Sequence, residues 1–340
     1  MVKGINRIKL LDCTLRDGGY VNEWEFGDNT FNILESLYNS NIEIIECGFL
    51  NPEGVDGTTQ YKNFNKINSY IKDITKNKNK ETLFVAMIEL ERYDPNILPP
   101  INDNNNQITG IRMTFRKSAK GKFIKAAKEI IAKGYKLFVQ PISTVSYNDR
   151  EILDLIDIVH ELNPYSLYMV DTHGSIDWHS YDLKRMFTLM DNNLNKNIPI
   201  GFHSHNNLQL SYALSCELIN ISTHREIIID SSLLGMGRGA GNLHTEMICN
   251  YINNKNKTKY DEILILSTIN KFIQPIKDIN YWGYNIPYFL SASLKCHPNY
   301  ASYLQKNNIS TEKMVAILNK IPTQHKLEFS ENIIKELINE

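Results

Sequence analysis

The sequence lacks a long apolar run, an excess of charge of one sign and any paired cysteine motif. No stretch of about 18 apolar residues could cross a membrane, and the N-terminal MVKGINRIKL lacks the apolar segment of a signal peptide. Lys plus Arg number 37 and Asp plus Glu 38, which provides no basic surface for nucleic acid or an acidic membrane. The 5 cysteines never form C-x-x-C, which favours free thiols in a reducing compartment. We therefore expect a cytoplasmic protein without nucleic-acid or membrane partners.

Eight short apolar runs alternate with amphipathic stretches along most of the chain. The runs cover residues 8–13, 42–48, 83–88, 108–115, 136–141, 166–171, 198–204 and 226–232. Near-continuous hydrophobicity is typical of strands buried on both faces of a parallel sheet. Eight βα units in about 250 residues predict an α/β fold, a (β/α)8 TIM barrel. A doubly wound open sheet would give the same count, but no Gly-x-Gly-x-x-Gly follows the first run.

Helical patterns surround these runs and continue beyond them. Residues 118–134 and 149–162 read as helices, the second with Asn148 as its N-cap. After about Lys255 the strand rhythm stops, and segments such as 261–276 look helical. We predict a TIM-barrel catalytic domain at 1–255 and a C-terminal helical region at 256–340.

Polar residues stand where two of the predicted strands end. Asp17 follows the first run, and His203 and His205 end the seventh. Alternate residues of a strand point to the same side, and the first, seventh and eighth strands are contiguous in a closed barrel, whose sites lie at the carboxyl ends of strands. Two imidazoles and a carboxylate form a facial ligand set for a divalent metal. The same H-x-H pair is also compatible with a hydrogen-bonded strand end.

An arginine and two glycines flank Asp17. A divalent ion with one carboxylate and two neutral imidazoles keeps net positive charge, which suits an oxygen that becomes negative, such as that of an enolate. Arg16 adds a permanent positive charge and a donor fork beside it. Gly18 and Gly19 let backbone and substrate come close. The adjacent Arg16 and Asp17 thus predict an oxyanion stabiliser next to a metal ligand.

Five motifs resemble one enzyme family. LDCTLRDGG, IECGF, DTHG, GFHSHNNLQLS and GMGRGAGN, in this order over residues 8–250, resemble the DRE-TIM metallolyases. That family includes 3-hydroxy-3-methylglutaryl-CoA lyase, 2-isopropylmalate and homocitrate synthases, carboxyltransferase domains and 4-hydroxy-2-oxovalerate aldolase, and the motifs look closest to the aldolase branch. The resemblance implies a divalent metal cofactor, Mn²⁺ or Mg²⁺ ahead of Zn²⁺ or Co²⁺. It also implies Arg16 as enolate stabiliser, Asp17, His203 and His205 as metal ligands, Asn242 at or near the metal, Glu46 as the acidic partner of Arg16 and Thr172 near the carboxylate of a 2-oxo acid.

One position departs from the family pattern. Aldolases of this branch carry a histidine base three residues after the metal-binding Asp, and the synthases and lyases carry a glutamine there, but this sequence has Tyr20. A phenol with a reference pKa of about 10 is a poor base near neutrality unless cations acidify it. Tyr20 therefore either acts as the base or orients substrate.

Other polar residues follow the later strands. The glycine-rich segment 235-GMGRGAG-241 follows the eighth run, where barrels often bind phosphate. The alternative, which we favour, is a tight turn that brings Asn242 to the metal, with Arg238 as a contact for a charged substrate tail. His173 and Glu246 are expected as hydrogen-bonding partners of the site.

These residues predict a carbon–carbon lyase acting through a pyruvate-type enolate. The expected reaction converts a 4-hydroxy-2-oxo acid into pyruvate plus an aldehyde, and the alternative is a Claisen-type acyl-CoA synthase or lyase acting on a 2-oxo acid. A non-haem Fe(II) oxygenase uses the same ligand types, and a non-catalytic barrel is the third class considered. We expect a homo-oligomer, and the resemblance implies an acylating aldehyde dehydrogenase as a partner.

Overall fold

A closed parallel barrel is the main body of the computed structural model, which describes residues 7–76, 80–102, 106–177, 182–256 and 259–339. The strands within these ranges are β1 (Ile8–Asp12), β2 (Ile44–Leu50), β3 (Gln60–Tyr61), β4 (Leu83–Glu89), β5 (Gly110–Phe115), β6 (Lys136–Pro141), β7 (Ser166–Asp171), β8 (Ile200–Ser204) and β9 (Ile227–Ser231). Eight of them pair in the order β1-β9-β8-β7-β6-β5-β4-β2, and pairing of β1 with β2 closes the ring. The TIM barrel predicted from the sequence is confirmed.

The short strand β3 was not predicted from the sequence. It pairs with the last residues of β2, where Phe49 lies opposite Gln60. The register of β2 against β4 shifts between Glu46 and Phe49. Gly48 lies in this irregular stretch with a φ of 147°, and a Cβ there would lie only 2.2 Å from the Thr59 carbonyl oxygen. The bend therefore needs glycine, and it begins directly after Glu46.

Helices follow the strands around the barrel. They are α1 (Thr14–Asp17), α2 (Gly19–Asn22), α3 (Asn29–Asn39), α4 (Asn65–Thr75), α5 (Lys120–Ala132), α6 (Asp149–Leu162), α7 (Asp182–Asn193), α8 (Ser211–Asn220) and α9 (Thr245–Asn256). Helix α6 begins as predicted, because the Asn148 side chain accepts from the Glu151 N–H at 3.0 Å and the Glu151 carboxylate accepts from the Asn148 N–H at 2.9 Å.

More helices follow α9. They are α10 (Glu262–Thr268), a π-helical turn (Ile269–Ile273), α11 (Gln274–Ile279), α12 (Ile286–Ser293), α13 (Pro298–Lys306), α14 (Thr311–Lys320), α15 (Thr323–Lys326) and α16 (Glu331–Asn339). Buried residues as far along as Trp282 join the core around the barrel, whereas a separate apolar cluster begins at Cys296. The domain boundary at 255/256 stays a prediction. Within the described ranges no helix is long and apolar enough to span a bilayer.

Alternation along the strands gives the barrel interior an apolar layer with a polar layer above it. The apolar cluster consists of Leu11, Cys13, Ile44, Val85, Phe138, Tyr168, Val170 and Ile228. Two residues further along, the same faces carry polar groups: Glu46 follows Ile44, and Asp230 follows Ile228. On β8, His203 follows Gly201 in the same way. The polar layer lies toward the carboxyl ends of the strands, where TIM barrels place their sites.

We predict opposite effects for one substitution at two glycines. A Cβ at Gly201 would lie 2.3 Å from the Tyr168 ring inside the barrel, so Gly201→Ala should destabilise the fold by about 1–3 kcal/mol. A Cβ at Gly121 in α5 meets nothing within 4 Å, so Gly121→Ala should stabilise the protein by up to about 1 kcal/mol through helix propensity. Urea unfolding followed by far-UV circular dichroism measures both. A Gly201→Ala variant as stable as the wild type would contradict this packing.

Candidate active site

Asp17, His203 and His205 converge at the carboxyl end of the barrel. Asp17 ends α1 directly after β1, His203 lies on β8, and His205 follows that strand. One ligand atom from each lies within 4.8 Å of the others. The Nε2 atoms of both imidazoles lie 3.6 Å from Asp17 Oδ2. The structure brings together the residues that the sequence placed on neighbouring strands.

The hydrogen bonds of the two imidazoles determine which ring nitrogens face Asp17. His205 Nδ1 lies 3.0 Å from the Asp171 carbonyl oxygen, which can only accept, so Nδ1 carries the hydrogen in the neutral ring. His203 Nδ1 lies 2.9 Å from Asp230 Oδ2 and donates to it in the same way. In the neutral form of each ring, Nε2 therefore presents a lone pair toward the Asp17 carboxylate.

Three acceptors thus face one another without a hydrogen between them. Asp17 Oδ2 is buried and has no hydrogen-bond partner among the described residues. Burial lowers the pKa of His205 to about 4, so its ring is neutral at pH 7. Burial alone would raise the pKa of Asp17, but the Arg16 guanidinium holds it well below its usual range. The donor set consists of two imidazoles and an ionised carboxylate, and a divalent cation would satisfy it.

Asn242 lies beside this set. Its backbone pairs with that of His205, and its side-chain nitrogen donates to the Met236 carbonyl at 3.0 Å. Its side-chain oxygen is buried and has no partner within the described part of the chain. An orphaned acceptor here fits a position at or near a cation, and its role as a ligand stays a prediction.

Arg16 is held on two carboxylates. Its Nε donates to Glu46 Oε2 at 2.8 Å and its Nη1 donates to Asp17 Oδ1 at 2.7 Å. Its Nη2 has no protein partner among the residues described, and the side chain lines the cavity. Although burial acts to lower the pKa of Arg16, Asp17 and Glu46 raise it well above its usual value. The guanidinium is a fixed cation that lines the cavity and keeps donors that are unpaired among the described residues.

Two buried charges below the site were not identified from the sequence. Arg112 on β5 is fully buried and donates to Glu46 Oε2 at 2.7 Å and to Asp230 Oδ2. Asp230 in turn holds His203. The available signal was a charged residue inside each of two apolar runs, 108-ITGIRMTF-115 and 226-EIIIDSS-232. A charge in a strand buried on both faces must find a partner.

Tyr20, Thr172 and Arg238 line one cavity of about 260 Å³ together with Arg16 and the ligand set. The Thr172 hydroxyl accepts from the Ser143 N–H at 2.8 Å, which leaves its own hydrogen free to donate. Arg238 Nη1 donates to Asn299 Oδ1 at 2.9 Å. The structure thus gathers every predicted substrate contact at one mouth.

The protein groups around Tyr20 do not acidify it. Its ring contacts Trp24 edge-on at 4.8 Å, and the Arg238 guanidinium carbon lies 5.9 Å from the ring centre. Although 45% of the residue is exposed, desolvation in the concave mouth raises the pKa of the phenol and outweighs the lowering by Arg16 and Arg238. A tyrosine in this state is protonated near pH 7.

His173 and Glu246 do not make the contacts expected of them. His173 is fully buried, with Nε2 at 3.4 Å from the Ser143 hydroxyl. Glu246 accepts from the Leu234 N–H at 3.0 Å and pairs with His244. Neither side chain is hydrogen-bonded to a member of the proposed ligand set in the parts of the chain described.

The chain is similar in sequence to a family model and to curated relatives that share one name. The model of the HMGL-like family matches residues 105–272. A curated relative, 4-hydroxy-2-oxovalerate aldolase of Geobacillus genomosp. 3, is 22% identical over 283 residues, which are 80% of this chain and 78% of the relative. A protein of the same name from Desulfitobacterium hafniense is 24% identical over 255 residues, covering 72% of this chain and 70% of the relative.

Solved structures share the fold at low identity. The N-terminal domain of a candidate aldolase from Bacteroides vulgatus superposes with a TM-score of 0.70 at 23% identity, covering 96% of this chain and 99% of that domain. The carboxyl transferase domain of Rhizobium etli pyruvate carboxylase superposes with a TM-score of 0.69 at 12% identity, covering 98% of this chain and 60% of that one.

We predict that the three-residue set binds a divalent cation. Asp17→Asn and His203→Ala should each weaken Mn²⁺ binding by at least about 100-fold, because loss of a ligand should exceed the 10–100-fold typical of losing an outer partner. Isothermal titration calorimetry measures the affinity, and circular dichroism checks the fold. His244→Ala is the matched control, since its partner is Glu246. Unchanged Mn²⁺ affinity in Asp17→Asn would refute the site.

Proposed function

The chain carries an HMGL-like domain of the DRE-TIM kind and is a lyase or aldolase, and on that premise we propose that it cleaves 4-hydroxy-2-oxo acids to pyruvate and an aldehyde. The same site would catalyse the reverse aldol addition. The observation that carries the proposal is that Arg16 lies beside Asp17, His203 and His205, a set of acceptors that a divalent cation would satisfy. Two positive centres side by side suit an intermediate with a negatively charged oxygen.

The inner end of the cavity, lined by Asp17, His203, His205, Arg16 and Thr172, would bind the oxo-acid half of the substrate. A divalent ion held by Asp17, His203 and His205, Mn²⁺ or Mg²⁺ in our proposal, would supply a Lewis acid for the 2-oxo group. The free Nη2 of Arg16 would donate to the same developing oxyanion. The free hydroxyl hydrogen of Thr172 would donate to the substrate carboxylate.

In the cleavage step, electrons move from the 4-hydroxyl oxygen toward the 2-oxo oxygen. A base removes the proton of the 4-hydroxyl, and that oxygen becomes the aldehyde carbonyl as the C3–C4 bond breaks. The bonding pair moves between C2 and C3, and the negative charge appears on the 2-oxo oxygen beside Arg16. Protonation at C3 completes pyruvate. Fixed donors at that oxygen stabilise the enolate without having to reorganise.

The comparisons support the enzyme class, and the particular reaction is our proposal. Two curated relatives carry the aldolase name at 22% and 24% identity. The homo-oligomer and the acylating aldehyde dehydrogenase partner remain predictions.

Two reactions test the proposal against the Claisen alternative. Mn²⁺-loaded protein in D₂O should exchange the C3 protons of pyruvate, followed by NMR, and should add pyruvate to an aldehyde to give a 4-hydroxy-2-oxo acid. The parallel incubation contains acetyl-CoA and 2-oxo acids, with free thiol as its readout. Thiol release without any aldol product would reject the aldolase and support the Claisen reaction.

We predict that Arg16→Lys lowers kcat by about 100-fold or more, as expected for removal of an oxyanion donor. Lysine keeps the charge but cannot hold Glu46 and Asp17 while still pointing donors at the enolate. Both C–C cleavage and C3 exchange should fall, since both pass through the enolate. Arg150→Lys on the exposed face of α6 is the control. Exchange at the wild-type rate in Arg16→Lys would remove Arg16 from this role.

Tyr20→Phe separates the two roles considered for that residue. Because its pKa is raised, we expect a substrate-shaping role, with C–C cleavage changed by less than about tenfold and the main effect in KM for the 4-hydroxy-2-oxo acid. C3 exchange of pyruvate serves as the internal control, because it needs no deprotonation of a 4-hydroxyl. A fall in cleavage of roughly 10²–10⁴-fold with unchanged exchange would instead establish Tyr20 as the base.

A further inference from the structure

We propose that the outer half of the cavity is an anion subsite formed by Arg238, Arg116, His297 and Asn299, so that the aldehyde half of the substrate carries a carboxylate or a phosphate. The inference rests on the proposed function, because it concerns the other end of the same cavity. It adds the chemical class of the aldehyde.

The charges that line the cavity do not balance. They belong to Arg16, Arg92, Arg116, Arg238, Asp17 and Glu89. Asp17 is paired with Arg16, and Glu89 pairs with Arg92 at 3.2 Å. Arg116 and Arg238 are left without a lining carboxylate. Arg116, Arg238, His297 and Asn299 form one wall of the cavity, and the two arginines make this wall positive.

Neither of these arginines has a strong partner in the described part of the chain. Arg238 has no carboxylate within ion-pair distance among the residues described, and its partner is the neutral amide oxygen of Asn299 at 2.9 Å. Arg116 lies 3.4 Å from Glu328, but both side chains are exposed, and such a pair contributes little. Glu91 accepts only from the backbone N–H of Arg116. Both guanidinium groups can therefore take an incoming anion.

Two further donors complete the wall. Asn299 uses its side-chain oxygen for Arg238, so its amide nitrogen is left to donate. His297 Nδ1 accepts from the Asn299 N–H at 3.1 Å, so the neutral ring carries its hydrogen on Nε2. Burial, His173, Arg238 and Arg116 lower the pKa of His297 to about 3, which keeps the ring neutral. His297 thus acts as a donor without charge.

Arg238 links this wall to the inner end. Its guanidinium carbon lies 5.9 Å from the Tyr20 ring, and its side chain lines the same cavity as the ligand set. The four residues come from the loops after β5 and β9 and from the start of α13. A neutral aldehyde would leave the two cations unmatched, whereas an anionic one would form charge-assisted hydrogen bonds with them.

The test compares aldehydes that differ in charge. Wild-type protein is assayed for aldol addition of pyruvate to succinic semialdehyde, to glycolaldehyde phosphate and to neutral butanal. We expect kcat/KM to be roughly 10- to 100-fold higher for at least one anionic aldehyde, the effect of a hydrogen bond to a charged group. The carboxylate and phosphate arms identify which anion is used. Equal kcat/KM for all three would overturn the proposal.

Substitutions at Arg238 and Arg116 test whether this wall causes the preference for an anionic aldehyde. In Arg238→Gln the preference for the anionic aldehyde over butanal should fall by roughly 10- to 100-fold. Arg116→Gln should reduce it less, because Arg116 is the more exposed, and Arg150→Gln, on the exposed face of α6, should leave it unchanged. An unchanged preference in Arg238→Gln would overturn the proposal.

A binding measurement separates failure of the subsite from failure of the aldolase proposal. Absence of pyruvate C3 exchange in the wild-type protein would refute the aldolase chemistry. Calorimetric titration of inorganic phosphate and of acetate then still examines the subsite. At least one anion should bind the wild type about tenfold or more tightly than it binds Arg238→Gln. Equal affinities, or no binding of either anion, would overturn the subsite.

Discussion

A single carboxylate oxygen, Glu46 Oε2, links Arg16 to the buried charges that hold His203. It accepts from Arg16 Nε at 2.8 Å and from Arg112 Nη1 at 2.7 Å. Arg112 continues to Asp230, and Asp230 accepts from His203. The result is a chain of alternating charges that crosses the barrel from α1 to β8. Removing one member would leave a buried charge unpaired, at a cost of about 3–5 kcal/mol.

This chain of charges explains how the mouth of the barrel can hold charged groups in fixed positions. Glu46 and Asp17 hold the Arg16 side chain, which lines the cavity, and leave its remaining donors for a substrate. Asp230 sets the tautomer of His203, while the Asp171 carbonyl sets that of His205. A site whose dipoles are oriented before substrate arrives does not have to reorganise during the reaction.

The two ends of the cavity differ in how much the helices after the barrel contribute to them. The inner end is built by residues on or directly after barrel strands, with alternation along each strand determining which side chains point inward. The outer end includes His297 and Asn299, which belong to the helices that follow the barrel. In our proposal the barrel supplies the enolate chemistry and the helical region contributes to the choice of aldehyde. This division fits the general behaviour of TIM barrels, in which the strands support the chemistry and the surrounding segments vary.

The sequence by itself determined the eight strands of the barrel, the helices after it and the convergence of Asp17, His203 and His205. Hydrophobic runs and alternation are local properties, and closure of a barrel makes the first and last strands neighbours without further information. Only the tertiary structure showed that Arg112 and Asp230, 118 positions apart, share a hydrogen bond. It also decided that His297 reaches the cavity and that desolvation raises the pKa of Tyr20. These features depend on how distant segments pack and on how much water they exclude, and neither is encoded in the spacing of residues along the chain.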